Sequence, residues 1–185
     1  ISVIPNCYNP MFQPVWREFN KACPTIFQVG TLPHKNVLRL IMALKDLPCR
    51  LILLGRLDTK TLGLLQQHKI VYENYMGITL QEIYEHYISC DIVSFISLYE
   101  GFGVPIIEGQ AVGRVVITTN YAPMSMVSGD GAALVDPYDV EQIRQGILRI
   151  INDTDYRNTL ICNGFINVKN YSADKISMKY IDLYK

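Results

Sequence analysis

The chain has 185 residues, of which 49 % are apolar and 18 % are charged. This length predicts one domain with a substantial core, and the composition excludes a disordered chain. The 17 Lys and Arg residues balance 17 Asp and Glu residues, which argues against binding nucleic acid or an anionic membrane through a general positive field. We therefore expect no nucleic-acid partner, and any anion site must be local.

The longest uncharged apolar runs, such as Leu51–Leu54, are far shorter than the roughly 18 residues that a membrane-spanning helix needs. The five cysteines show no CxxC spacing and no signal-peptide pattern precedes them, so we expect buried thiols and a cytoplasmic protein. The chain begins at Ile1 with an apolar run and a turn, and we expect it to be part of a longer protein.

In chain order, the linker-like segment 1–24 precedes a series of short aliphatic and β-branched runs that predict strands. Amphipathic stretches with helical spacing at Val37–Leu44 and Leu80–Tyr87 separate some of them. Thr79 with Glu82 forms a capping-box pattern. The predicted strands are Thr25–Val29, Arg50–Leu54, Ile70–Tyr72, Ile92–Phe95, Val115–Thr118 and Ala132–Val135.

Repeated strand-then-helix order predicts an α/β fold, a doubly wound, Rossmann-like parallel sheet of about six strands with helices on both faces. Ligands bind such sheets at the carboxyl ends of the strands. From Asp139 onward the apolar spacing predicts helices without intervening strands. We therefore divide the chain into segment 1–24, a ligand-binding unit 25–138 and a helical tail 139–185 that completes the same domain.

The stretch from Glu100 to Glu108 predicts a strand-loop-helix turn with Pro105 in the first helical turn. Glycines in the loop allow close approach of a ligand, and free N–H groups at a helix start favour an anion. We expect Glu108 in that first turn, so that both carboxylates flank one pocket and accept hydrogen bonds from sugar hydroxyls. Alternatively, Glu108 complements the helix dipole and Glu100 is a solvated loop charge.

At this point the sequence resembles the carboxyl-terminal domain of retaining glycosyltransferases of family four, which have the GT-B fold. The signature is a glutamate, Gly-Phe-Gly, a proline and a second glutamate eight residues after the first, matched by Glu100, Gly101, Phe102, Gly103, Pro105 and Glu108. The resemblance covers nearly the whole chain, because Val3–Asn6, Gly30–Asn36, Asp91–Ser97 and Gly131–Pro137 also match family segments in order.

The resemblance implies a domain that binds a nucleoside-diphosphate sugar. It places Glu100 as the catalytic residue that contacts the donor sugar and Glu108 on the ribose hydroxyls. Lys35 would neutralise the diphosphate, and a lysine at a helix start after a glycine-containing strand end suits that task. The alternative for Lys35 is a solvated lysine. The remaining substrate-binding residues implied are Thr31, Gly101, Phe102, Gly103 and Val104.

One departure from the family lies at Thr31, where many members have an arginine that binds phosphate. The Thr31 hydroxyl, Arg56 or His34 are the alternatives for replacing it. The resemblance implies neither a cofactor nor a metal, and we predict no metal site. Asp153-Thr154-Asp155 looks like a metal-binding DxD motif but is better explained as a helix stop and cap.

We therefore predict the donor domain of a hexose-transferring enzyme acting in polysaccharide or lipopolysaccharide synthesis. The expected partners are the nucleotide-sugar donor and a saccharide or lipid-linked acceptor held by a preceding amino-terminal domain. That longer protein is open to peripheral association with the inner face of the membrane, and this chain alone is expected to be inactive in transfer. Two alternatives remain, a non-catalytic nucleotide-sugar-binding module and a sugar-nucleotide epimerase of the same fold.

Overall fold

The computed structural model describes residues 2–184. Its centre is a six-stranded sheet of order β3-β2-β1-β4-β5-β6 in which every neighbouring pair is parallel. The predicted fold class is thereby confirmed. The strands are β1 Thr25–Val29, β2 Arg50–Leu54, β3 Val71–Tyr75, β4 Ile92–Phe95, β5 Val115–Thr119 and β6 Ala132–Val135.

Eight α-helices are found in the described part of the chain, together with 3-10 turns at Pro33–Lys35 and Lys169–Tyr171. Thr79 forms the predicted capping box with Glu82 at the start of the third helix. The helices are α1 Val37–Ala43, α2 Thr59–Gln67, α3 Leu80–Ser89, α4 Val104–Ala111, α5 Met124–Ser128, α6 Val140–Asn152, α7 Thr154–Val168 and α8 Ala173–Leu183.

Side chains alternate between the two faces of the sheet and build one core on each. Ile26 and Ile92 face a core shared with α1, α2 and α6, whereas Phe27 and Val93 face a core shared with α3, α4 and α5. Because both faces are covered by helices, the central strands are apolar along most of their length. The ligand-accessible parts of the sheet are therefore its strand ends.

The amino-terminal edge of the sheet is covered by segment 2–24 and by α7. Asp91, just before β4, accepts hydrogen bonds from Arg17 Nε at 3.2 Å, from Asn20 N and from Thr25 N. The buried guanidinium of Arg114 donates to the carbonyl of Val15. These contacts occupy the amino-terminal edge, so the open edge is the carboxyl-terminal one. The proposed division of the chain at residues 24 and 138 stays a prediction.

Two details differ from expectation. The third strand runs over Val71–Tyr75 instead of Ile70–Tyr72, because β3 is an edge strand that accommodates the polar, partly exposed Glu73 and Asn74. The expectation of buried thiols is wrong for Cys7, Cys23 and Cys162, which are exposed, and right for Cys49 and Cys90. All five cysteines are free.

Residues 2–184 contain no helix that combines the length and apolarity required to cross a bilayer.

Candidate functional site

Two loops meet at the carboxyl-terminal edge of the sheet, one after β1 and one after β4. The strands β1 and β4 are neighbours, and the N–H of Leu98 donates to the carbonyl of His34 over 2.8 Å. The buried Gln28 side chain donates to the carbonyls of Gly30 and Lys35 and holds the first loop. Residues far apart in sequence are thus brought to one place.

Lys35 and Glu100 form an ion pair between these loops. Lys35 Nζ lies 2.6 Å from Glu100 Oε1 and 4.5 Å from the centre of the Phe95 ring. The lysine stem passes over Gly30, where a Cβ would lie 3.0 Å from Lys35 Cε, and the φ of Gly30 is +89°. Glycine at position 30 therefore provides both the turn and the space for Lys35.

His34 also belongs to this cluster. Its Nε2 lies 3.8 Å from Glu100 Oε1, and its ring stacks on the Tyr99 ring with 4.9 Å between the ring centres. Three residues, Thr31, Arg56 and His34, were the alternatives for replacing the phosphate-binding arginine of the family. Of these, His34 lies beside Glu100. The Thr31 hydroxyl donates to the carbonyl of Arg56 over 2.7 Å, and the Arg56 side chain is exposed.

The loop after β4 ends at Gly103, the N-cap of α4, with φ of +116°. Pro105 lies in the first turn as predicted. The backbone N–H groups of residues 101–104 donate to no acceptor in the described chain. Unpaired N–H groups at a helix N-terminus suit a negatively charged group. The Phe102 ring, in the same loop, packs edge-on against Tyr171, with 5.7 Å between ring centres.

Glu108 is the fifth residue of α4, so the expectation that it lies in the first turn is wrong. The helix begins at Val104, directly after Gly103, which leaves Glu108 in the second turn. Its carboxylate is half-buried and accepts a hydrogen bond from the hydroxyl of Tyr87 over 2.8 Å. Burial raises the pKa of Glu108, and the hydrogen bond from Tyr87 partly offsets that rise. The alternative that Glu108 complements the helix dipole loses its main support, because Glu108 is not in the first turn.

Sequence reasoning missed Tyr87 and Gln28 as supports of this site. Tyr87 lies at the end of the predicted amphipathic stretch Leu80–Tyr87, and it is fully buried. Its spacing with Leu80 and Ile83 gave no signal beyond amphipathicity. A polar residue in an apolar central strand was the available signal for Gln28.

A depression with a volume of about 880 Å³ lies elsewhere, at the turn between α6 and α7. Asp153 there ends α6 and caps α7 by accepting from the N–H of Tyr156, which confirms the predicted cap. Arg149 lies 4.0 Å from the same carboxylate and stacks on the Tyr156 ring. Residues 2–184 contain no cluster of three or more His, Cys, Asp or Glu suited to a metal ion. Convergent polar groups make the carboxyl-terminal edge the better candidate site.

Comparison with known proteins identifies the family and the fold. Residues 15–166 match the family model of glycosyl transferases group 1. An O-antigen chain mannosyltransferase B from Escherichia coli is 34 % identical over 89 residues, which are 48 % of this chain and 23 % of that protein. The solved sucrose-phosphate synthase from Thermosynechococcus elongatus superposes with a TM-score of 0.85 at 22 % identity, covering 98 % of this chain and 51 % of that one.

A solved Anabaena protein in complex with UDP and glucose superposes with a TM-score of 0.77 at 17 % identity, covering 88 % of this chain and 48 % of that one. The two solved structures show the same fold, and this chain spans about half or less of the length of all three relatives. The family model covers most of the chain, including the ion pair and the start of α4. The chain therefore belongs to the glycosyl transferases group 1 family.

Proposed function

We propose that this chain is the donor-binding domain of a retaining glycosyltransferase that uses a nucleoside-diphosphate sugar. The observation that carries the proposal is the meeting of Lys35, Glu100 and the amino-terminal end of α4 at one strand edge. A cation, free N–H groups and a carboxylate together match the parts of such a donor, a diphosphate joined to a polyhydroxylated sugar.

The diphosphate would lie against Lys35 and the N–H groups of residues 101–104. These donors belong to a folded backbone and need no rearrangement when negative charge develops on the departing diphosphate. Breaking the bond between the sugar's anomeric carbon and the diphosphate oxygen transfers that bond pair to the diphosphate, while an acceptor hydroxyl oxygen bonds to the anomeric carbon and its proton passes to the diphosphate. Lys35 and the N–H groups would stabilise the resulting charge without a metal ion.

The two carboxylates would hold the hydroxyl groups of the donor. Glu100, beside Lys35, would contact the transferred sugar as the catalytic residue, and Glu108, further along α4, would accept from the ribose hydroxyls. Phe102, Gly103 and Val104 would line the path between them, and Thr31 would support the first loop through its bond to Arg56.

The acceptor and the setting of the reaction belong to the longer protein. The matched Escherichia coli relative is named as an O-antigen chain mannosyltransferase. We infer transfer of a hexose to a saccharide or lipid-linked acceptor in surface polysaccharide synthesis, in the cytoplasm or at the inner membrane face. This chain alone would bind the donor and transfer little, because the contacts that orient an acceptor are outside it.

The second candidate function is a nucleotide-sugar-binding module without catalysis. Thr31 favours it, because the hydroxyl that stands where family members have an arginine is engaged by the carbonyl of Arg56. Donor binding is common to both functions. Only a transfer assay with the full-length protein separates them.

Calorimetric titration of the chain with UDP, GDP, ADP and TDP tests the proposal. Lys35→Ala and Glu108→Ala report on the two ends of the site, and Lys21→Ala, an exposed lysine of segment 2–24, is the matched control. Binding of one nucleotide in preference to the others, weakened in both site variants and unchanged in the control, supports the proposal. Equal affinity in all four proteins would contradict the assigned site.

A further inference from the structure

The hydroxyl group of Tyr87 is directed at Glu108 from a neighbouring helix. Tyr87 lies on α3 and is completely buried, and its hydroxyl donates to Glu108 Oε2 over 2.8 Å. The other carboxylate oxygen, Oε1, accepts no hydrogen bond from any residue in the range 2–184. One oxygen of Glu108 is thus held, and the other is left for a ligand.

The Tyr87 ring is fixed by two further aromatic rings. Phe12, from segment 2–24, packs edge-on at 5.3 Å between ring centres, and Phe27, from β1, packs edge-on at 5.1 Å. Edge-to-face pairs of this kind are specific in geometry as well as favourable. The position of the Tyr87 hydroxyl is therefore set by the core and does not depend on a bound ligand.

We propose that Tyr87 is a positioning residue that holds the Glu108 carboxylate ionised and oriented for the donor's ribose hydroxyls. The proposal rests on the proposed function, because the ligand of Glu108 is the donor assigned there. The sequence motif contains Glu108, but nothing in the motif specifies the residue that orients it.

The pKa shifts of Glu108 and Tyr87 agree with a positioning role for Tyr87. Burial raises the pKa of Glu108, and the Tyr87 hydrogen bond acts in the opposite direction. The pKa of Tyr87 lies well above its ordinary value, first through burial and then through the Glu108 charge, so the hydroxyl remains a donor. The Cys90 thiol, which donates to the Tyr87 carbonyl, stays neutral because burial raises its pKa to about 12. Lys35 pairs with Glu100, and Arg114 donates to backbone carbonyls.

Tyr87→Phe keeps the ring and its packing but removes the hydrogen bond. The pKa of Glu108 should then rise further, because burial is no longer opposed. A ribose site needs the ionised carboxylate as a hydrogen-bond acceptor, so nucleotide affinity should fall as the pH is lowered. In Tyr87→Phe this fall in affinity should begin at a higher pH than in the wild type. A role confined to packing would not move the titration of Glu108.

The first measurement is a carboxyl-carbon NMR titration of Glu108, assigned by its absence in Glu108→Gln. Tyr84→Phe is the matched control, because Tyr84 lies on the same helix and also packs on Phe12, with 5.6 Å between ring centres. We expect the Glu108 titration to move to higher pH in Tyr87→Phe and to stay in place in Tyr84→Phe. Coinciding titrations in all three proteins would overturn the proposal.

The second measurement is calorimetry with UDP, GDP, ADP and TDP at several pH values. Loss of a hydrogen bond to a charged group predicts about tenfold weaker binding in Tyr87→Phe, and Tyr84→Phe should stay within about twofold of the wild type. Equal affinities in the wild type and Tyr87→Phe at every pH would overturn the proposal. If the wild type binds none of the four, the proposed function fails, and the titration still decides whether Tyr87 controls Glu108.

Discussion

Lys35 Nζ lies 2.6 Å from Glu100 Oε1, joining the loop after β1 to the loop after β4 across 65 residues of sequence. Both side chains are largely shielded, with 16 % and 15 % of their surfaces exposed. Two groups that would serve different parts of the donor therefore neutralise each other in this structure. A diphosphate must compete with Glu100 for Lys35.

This competition predicts that Glu100→Gln tightens the binding of a nucleoside diphosphate without a sugar. An ion pair that keeps some contact with solvent contributes up to about 1 kcal/mol, so binding should tighten by at most about fivefold. Calorimetry with UDP, GDP, ADP and TDP measures it, and Glu18→Gln, an exposed glutamate of segment 2–24, is the control. Weaker binding in Glu100→Gln would show that Glu100 itself contacts the nucleotide.

The charge of Lys35 predicts a salt-dependent affinity. In the wild type, nucleoside diphosphate binding should weaken as salt rises from about 0.05 M to about 0.5 M, because added ions screen the charge on the ligand. Lys35→Ala should bind about tenfold or more weakly, since hydrogen bonds to charged groups contribute about 1.5–3 kcal/mol. Its salt dependence should also be shallower. A salt response as steep as that of the wild type would remove Lys35 from the diphosphate site.

The two loop glycines should respond differently to alanine. Gly103 has φ of +116°, and a Cβ there would lie 2.9 Å from Ile106 Cδ1, so Gly103→Ala should lower the free energy of unfolding by about 1–3 kcal/mol. Gly101 lies outside that backbone region and a Cβ would meet nothing within 4 Å. Gly101→Ala should change stability by less than about 0.5 kcal/mol. Urea unfolding of both variants tests the difference, and equal losses would refute it.

Glu108 predicts a pH-dependent contribution to stability. Burial raises its pKa in the folded protein above the unfolded value, so the folded state binds the proton more tightly. The contribution of Glu108 to the free energy of unfolding is therefore fully present below the pKa that Glu108 has in the unfolded chain. It is lost as the pH rises through the pKa that Glu108 has in the folded protein. Glutamine does not titrate, so the free energy of unfolding of Glu108→Gln should increase relative to that of the wild type as the pH rises through this range.

Urea unfolding between acidic and neutral pH provides this measurement. Glu18→Gln, at an exposed side chain of segment 2–24, supplies the control. A stability difference between Glu108→Gln and the wild type that stays constant with pH would mean that the Glu108 carboxylate is not desolvated in the folded protein.

Much of the fold could be predicted because its signals are local. The bounds of β1, β2, β4 and β6 follow from short apolar runs, and the capping box at Thr79 marks the start of α3. The β3 strand was less well predicted, because an edge strand can carry polar residues and loses its apolar signature.

Only the site residues that belong to the sequence motif could be predicted. Glu100 and the glycines after it could be read from sequence, but the partners of the two glutamates could not. The Glu100–Lys35 contact depends on β1 and β4 being neighbours, and the Glu108–Tyr87 contact depends on the packing of α3 beside α4. Neither relationship is contained in periodicity or spacing, because the first is set by the order of strands in the sheet and the second by how two helices meet.

The most direct test of the account is to map the amide NMR shifts that a nucleoside diphosphate causes in this chain. We expect the shifts to concentrate at residues 30–36 and 100–108, at the carboxyl-terminal edge of the sheet, and we expect Lys35→Ala to remove them at the same ligand concentration. Shifts concentrated at the turn between α6 and α7, or at the amino-terminal edge around Asp91 and Arg114, would contradict it.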